Sequence, residues 1–139
     1  MEKRNKKIGV SQKAILFNEN GRILTIRRTK EAPSGPLYWD LPGGDLDFGE
    51  GAKEGIIREV REETGLEIKS LIVIDVISGF NDRDDFWVTI CYAAQPTTAN
   101  VKLSYEHDDF MWVTPDEFRK LKVSVRNKKF VERFNFLRK

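Results

Sequence analysis

GGDLDFGEGAKEGIIREVREETGL, residues 43–66, places seven carboxylates in 24 positions, directly after a pair of glycines. Ile56, Ile57, Val60 and Thr64 fall within about 100° of one another at 3.6 residues per turn, so the spacing predicts an amphipathic helix. Gly65 reads as its left-handed cap, with Leu66 as the apolar residue behind it. Glu59, Glu62 and Glu63 crowd one turn of that helix. Like charges so spaced repel by roughly 0.2–0.5 kcal/mol per pair. With Ile56 at 0° on a helical wheel, Glu63 falls near about 340°, Glu59 near about 300° and Glu62 near about 240°. The three carboxylates therefore border the buried stripe and do not occupy the middle of the solvent face.

That position needs compensating charge, because burying unpaired charge is expensive. Arg58 reaches Glu62 at i+4, and Glu54 reaches Arg58. This leaves Glu59 and Glu63 without a partner on the helix. A divalent cation would meet the need, and all-oxygen ligands select Mg²⁺ or Mn²⁺ over Zn²⁺. A surface helix laced with Arg–Glu pairs would use the same residue types. The place of the glutamates against the apolar border argues for the cation.

Working outward, Val10–Phe17 and Arg22–Arg28 flank the turn Asn18-Glu19-Asn20-Gly21 and read as a β-hairpin. Residues 29–38 hold two prolines and a glycine and read as a loop leading into Trp39-Asp40-Leu41-Pro42. Beyond the helix, residues 66–79 and Phe86–Ala94 read as a second hairpin across Asn81–Asp85, and 95–104 as a loop or edge. Phe110–Val113 is a short strand. Thr114-Pro115-Asp116-Glu117 has N-cap, proline and glutamate at the spacing of a capping box. Val125–Phe136 closes the chain as an amphipathic helix. Hairpins with helices between them indicate an α/β fold with a mixed sheet.

The 139 residues fit one domain, 1–139, with residues 1–7 as a basic tail. No run of 18 apolar residues exists, which argues against a membrane span, and the charged start argues against secretion. Cys91 lies in an apolar alternating run and reads as a buried thiol, consistent with a cytoplasmic setting. The net charge of +2 is uneven: residues 8–118 hold 11 basic and 20 acidic residues, while 119–139 hold nine basic and one acidic. An acidic body argues against a broad nucleic-acid surface. The basic end reads as a solvated helix face in preference to an RNA contact.

The pattern Gly44, Glu50, Arg58-Glu59-Val60, Glu62-Glu63, Gly65-Leu66 resembles the Nudix box, with every fixed position filled. Seven fixed identities at roughly 7% usage each coincide by chance about once in 10⁸ start points. The resemblance extends over residues 8–120, through Trp39-Asp40-Leu41-Pro42-Gly43-Gly44 and Trp112-Val113-Thr114-Pro115, to MutT-like members. It implies a Nudix α/β/α sandwich with a loop–helix–loop box over 44–66. It also implies Mg²⁺-dependent hydrolysis of a nucleoside diphosphate linked to a group X. By resemblance, Glu59, Glu62 and Glu63 bind metal, with Glu59 also a candidate base. Glu50 supports the metal site, Arg58 orients the helix carboxylates and the Gly44 carbonyl is a backbone ligand. Arg28 would contact a substrate phosphate, and Glu106, or else Asp109, would supply one further metal carboxylate. Asp47 stands where many members have Glu, and Gly55-Ile56 where small residues are common.

The leading expectation is cleavage of a nucleoside or deoxynucleoside triphosphate, an oxidised one such as 8-oxo-dGTP included, to monophosphate and pyrophosphate. ADP-ribose or a nucleotide sugar is the alternative substrate, and a non-catalytic nucleotide sensor the alternative of another class. The expected partner is a small nucleotide, with the chain a monomer or homodimer. His107, the only histidine, reads as a loop residue. Trp39 and Phe86 could stack a base but read as core.

Overall fold

The computed structural model describes residues 6–139. The basic start falls mostly on residues 1–5, outside the described residues, and Lys6 and Lys7 are exposed. Seven strands and three helices follow in the order β1 (Ile8–Leu16), β2 (Ile23–Arg28), β3 (Trp39–Asp40), β4 (Gly43–Asp45), α1 (Ala52–Thr64), β5 (Ile68–Phe80), β6 (Phe86–Pro96), β7 (His107–Val113), α2 (Pro115–Lys120) and α3 (Val125–Leu137).

The strands form two sheets. One has the order β4-β1-β6-β5, the other β3-β2-β7. β1 runs parallel to β6, from Ile8 opposite Phe86 to Leu16 opposite Ala94, while β4 and β5 are antiparallel to their neighbours. The four-stranded sheet is thus mixed, as expected.

The expected β1–β2 hairpin is a correction. The turn forms, with the Asn18 side chain accepting the N–H groups of Asn20 and Arg22 and Gly21 at φ 74°. The strands joined by it separate: only Phe17 and Ile23 bridge, and then β1 pairs with β6 while β2 pairs with β7. Local turn chemistry is satisfied either way, and the longer ladders with distant strands decide the pairing. The β5–β6 hairpin forms as expected around Asn81, whose side chain accepts from Arg83 and Asp85.

Alternation along β1 divides the interior in two. Ala14 and Leu16 face α1 and pack with Ile56, Val60 and Leu66. Ile15 faces the other way, with Cys91, Phe118, Phe130 and Phe134. Helices therefore cover both faces of the sheet. Each fully buried aliphatic side chain here contributes about 1.5–3 kcal/mol. On the α1 face the buried Gln12 holds the start of that helix: its Nε2 donates to the Ala52 carbonyl at 3.0 Å and its Oε1 accepts from the Tyr92 hydroxyl at 2.7 Å. α1 ends on Gly65 at φ 72°, which donates to the Arg61 carbonyl, and Leu66 is fully buried. α2 carries the expected capping box on Thr114 and Glu117, and Ser124 caps α3.

Candidate active site

β4 brings the two glycines against β1. Gly43 lies opposite Lys13 at φ 149°, and a Cβ there would come within 2.0 Å of the Gln12 carbonyl oxygen. Only glycine tolerates that approach. Gly44 faces α1, where a Cβ would lie 2.7 Å from the Glu59 carboxyl group. The missing side chain leaves room for that carboxylate to sit directly on backbone.

The three helix glutamates are graded in burial as the wheel implies. Glu63 is buried, Glu59 half-buried and Glu62 exposed. Glu63 Oε1 accepts the Gly43 N–H at 2.8 Å. Burial pushes its carboxyl up to about 8, against the opposing pull of Lys13 and that N–H. Glu59 is also raised, first by burial and then by the negative charges of Glu62 and Glu106, with Arg58 opposing.

Arg58 holds the cluster together in a way that differs from expectation. Its Nε and Nη2 grip both oxygens of Glu50 at 2.7 and 3.1 Å, Nη1 donates to Glu62 at 3.1 Å and Nη2 to Glu59 at 3.2 Å. Among the described residues no Glu54–Arg58 pair forms, because Glu50 offers a bidentate geometry that a neighbour on the same helix cannot. Glu59 is accordingly not left without a partner. Glu50 also accepts the Asp47 N–H, so it is committed to supporting Arg58 and the loop. Gly55 explains itself here: a Cβ would meet Glu50 Oε1 at 2.9 Å and Leu46 at 3.0 Å.

The helix glutamates open onto a cleft of about 1320 Å³. Glu59, Glu62, Glu63, Glu106 and Gly44 lie along it, and so do Arg28 and Lys13. Of the two downstream acids, Glu106 lines the cleft and Asp109 does not. Arg27, one residue before Arg28, pairs outside with Asp108.

Asp40, which no local sequence pattern singles out, is the hub of the site. It is buried, and its carboxylate accepts from Lys13 Nζ at 3.1 Å, Arg28 Nη1 at 3.0 Å, Asn127 Nδ2 at 2.8 Å and the Leu41 N–H at 2.8 Å. Burial alone would raise its pKa, but Lys13, Arg126 and Arg28 outweigh it and hold the group well below the usual carboxylate range. Lys13, on β1, thus stands between Asp40 and Glu63 and is drawn to both. His107 is a second correction. It begins β7 and is buried, with Nδ1 lacking a partner among the described residues, and burial lowers its pKa to about 4. A neutral imidazole there packs beside the site and carries no charge into it. Trp39 packs on the core under Arg27, as expected, whereas Phe86 is a correction: it lies outside both core clusters, half-buried and tilted at 59° against the exposed Phe80 with centroids 5.0 Å apart.

Whether these residues suit a divalent ion can be judged from the donor set. It is all oxygen, it includes one buried and one half-buried carboxylate, and a backbone position without a side chain sits against one of them. That fits a hard cation. The carboxylates do not already converge, since no group of three acidic or imidazole side chains forms a ready-made cage among the described residues. Arg58 and the Gly43 N–H hold them apart.

The family model of the NUDIX domain matches residues 7–134. The chain belongs to the NUDIX domain family. Among relatives, a MutT-like protein of Streptomyces ambofaciens is 34% identical over 109 residues, covering 78% of this chain and 65% of that protein. The 8-oxo-dGDP phosphatase of Homo sapiens is 33% identical over 95 residues, covering 68% of this chain and 28% of that protein. The chain therefore spans less than two thirds of the length of either. A solved structure, the MutT protein from Methanosarcina mazei Go1, is 31% identical with a TM-score of 0.85 and covers 99% of both chains. NUDIX hydrolases generally use a divalent metal. The expected α/β/α sandwich is the fold observed. No helix among the described residues is long and apolar enough to cross a membrane.

Proposed function

We propose that this chain hydrolyses a phosphoanhydride bond of a nucleoside or deoxynucleoside triphosphate, with Mg²⁺ as cofactor, to give the monophosphate and pyrophosphate. The observation that carries this reading is the charge division of a single cleft. Among its lining residues, Glu59, Glu62, Glu63 and Glu106 share it with the cations Arg28 and Lys13. A polyphosphate needs both: carboxylates to hold a divalent ion, and fixed cations for the oxygens the ion does not reach. The MutT relatives and the 8-oxo-dGDP phosphatase support a nucleotide substrate.

Glu59, Glu62 and Glu63, with the Gly44 backbone and Glu106, would hold the ion. A bound divalent ion supplies charge neutralisation of the phosphates and acidifies a water. The remaining work falls to the chain. Glu59 is the base that accepts the proton of the attacking water, its carboxylate placed by Arg58 and by the space over Gly44. Arg28, fixed by Asp40, offers its guanidinium to a substrate phosphate. Glu50 and Arg58 keep the helix carboxylates aimed, one bidentate pair serving the whole turn. Cys91 is buried, and burial pushes its thiol up, so it stays inert in a reducing cytoplasm.

The test is product analysis by mass after incubation with Mg²⁺ or Mn²⁺. The panel holds the common and 8-oxo triphosphates, ADP-ribose, nucleotide sugars and dinucleoside polyphosphates. Monophosphate and pyrophosphate from a triphosphate, lost on chelation and in Glu59→Gln, is the expected result. Cleavage confined to ADP-ribose or nucleotide sugars would replace the substrate. No turnover across the panel would overturn the catalytic reading in favour of a sensor.

A further inference from the structure

The cleft continues past the carboxylates over the face of the four-stranded sheet that carries Lys13, and its far end is unlike the near one. Cα partners in the ladders share a face, which defines the floor rung by rung. Lys13, Cys91 and Asp75 form one rung. Ser11, Thr89 and Ile77 form the next, and Gly9, Trp87 and Gly79 the one beyond. Trp87 is therefore flanked on its own face by two glycines. The indole lies flat over Gly9, where a Cβ would fall 2.5 Å from its ring. On the other side Gly79 meets nothing within 4 Å. The result is a half-buried aromatic ring with open space beside it, at the end of a cleft whose other end suits polyphosphate.

One rung back, about 7 Å along β6, stands the donor. Arg126 enters from the first turn of α3, and its Nη1 donates to Thr89 Oγ1 at 3.4 Å while its Nε donates to Asn127 Oδ1 at 3.3 Å. The guanidinium is partly buried and lines the cleft, yet it makes no ion pair among the described residues. Of its five N–H groups, two are used. Asp40 is close enough to feel its charge but not to bond it, and a half-buried cation with spare donors is completed by a ligand acceptor. The neighbouring Ser11 and Thr89 hydroxyls bond to each other at 2.7 Å, which uses one of their two protons.

We propose that Trp87 and Arg126 form a base-recognition site that takes a purine carrying a ring carbonyl, of the guanine type, in preference to adenine. The base stacks on the Trp87 ring, and Arg126 donates to the carbonyl oxygen. Guanidinium has donors only, so it gains nothing from an exocyclic amino group at that edge. Neither residue stands out in the sequence, where Trp39 and Phe86 are the candidate stacking aromatics. This inference rests on the proposed nucleotide hydrolase reading but is separable from it, because binding of a product can be read without turnover.

The probes are GMP and AMP, titrated against intrinsic tryptophan fluorescence and by calorimetry, with kcat/KM for dGTP and dATP measured in parallel. The wild-type protein should bind GMP about tenfold more tightly than AMP. Trp87→Phe, which keeps a ring, should retain the preference and lose the fluorescence change, since Trp39 and Trp112 lie elsewhere. Trp87→Ala should weaken both ligands by about tenfold or more. Arg126→Met, checked for native melting, should bring the GMP/AMP ratio close to one and leave AMP binding nearly unchanged, with Arg126→Lys intermediate. Equal weakening of both ligands in Arg126→Met would make Arg126 a general anion contact and overturn the proposal. So would equal wild-type affinity for GMP and AMP. Preferential GMP binding without hydrolysis of any triphosphate would sink the hydrolase reading and keep this site; turnover without base preference would do the reverse.

Discussion

Replacing Asp40 by Asn should expose how much of the site depends on one buried charge. The substitution keeps shape and one acceptor but removes the charge that faces Lys13 at 3.1 Å and Arg28 at 3.0 Å. The two cations respond differently. The Arg28 side chain is 33% exposed and can recover water, whereas that of Lys13 is 9% exposed and would keep only the Leu41 carbonyl as a partner. Breaking a buried pair by removing one member costs about 3–5 kcal/mol. With Arg28 partly rehydrated, the lower end applies, about 3 kcal/mol or a melting temperature about 10 °C lower at this chain length. Urea unfolding at neutral pH measures it, with the slope expected to stay constant. The double variant Lys13→Met with Asp40→Asn should recover about 2 kcal/mol, because the stranded ammonium is gone. The wild-type carboxyl is held below its unfolded pKa of about 3.9, so its contribution is present above that pH and is lost as pH falls through the lower folded value. The stability deficit of Asp40→Asn should therefore shrink in acid. A loss under about 1 kcal/mol at pH 7, or a double variant no better than the single one, would refute the claim that Lys13 is held by this charge.

Glu63 should behave with the opposite sign. Its carboxyl is raised to about 8 in the folded chain, so in the metal-free protein its stabilising contribution is complete below the unfolded value of about 4.3 and is lost as pH rises through about 8. Glu63→Gln should remove that decline in a chelated thermal-melt series and abolish the stabilisation that Mg²⁺ gives the wild type; an unchanged alkaline slope would count against it. Gly44→Ala places a methyl 2.7 Å from the Glu59 carboxyl, at the far end of a flexible side chain. It should cost under about 1 kcal/mol in unfolding yet lower kcat/KM by about 10²-fold. Gly43→Ala meets backbone at 2.0 Å with φ at 149°, and should instead cost above about 2 kcal/mol in the same unfolding assay. Thr114→Ala removes the α2 capping box and should cost about 1 kcal/mol in urea with kcat/KM unchanged.

The parts of this molecule legible in the sequence are those whose cause is local. The grading of Glu63, Glu59 and Glu62 from buried to exposed follows from helical geometry and one apolar stripe. The Gly65 cap, the Thr114 box and the Asn81 turn are each written within a few residues. What escaped is assembled over distance. Asp40 looks unexceptional beside Trp39, and its partners lie 27 residues away at Lys13 and 87 away at Asn127. The β1–β2 turn is legible locally and the strand pairing is not, since register is decided by β6 and β7. His107 borders an acidic run that suggests a loop, yet it pairs with Arg28 across a bulge and is buried. Trp87 carries a signal only once its cross-strand neighbours are known to be glycines.

The same long-range contacts show how the two ends of the cleft are kept in register. Asp40 lies on β3, Lys13 on β1, Arg28 on β2 and Asn127 on α3, so one carboxylate joins both sheets to the helix that carries Arg126. Lys13 in turn faces Glu63 on α1, which is tied to Gly43 on β4. A chain of contacts no longer than 3.1 Å from Asn127 through Asp40 to Lys13 therefore spans the floor between the proposed base site and the helix carboxylates. A nucleotide whose base is fixed at one end then has its phosphates delivered to the other at a distance set by the protein and not by a mobile loop. Preorganisation of that kind is worth most where the reacting atoms must be placed to within a fraction of an ångström. The binding energy of a correct base then appears in kcat as well as in KM.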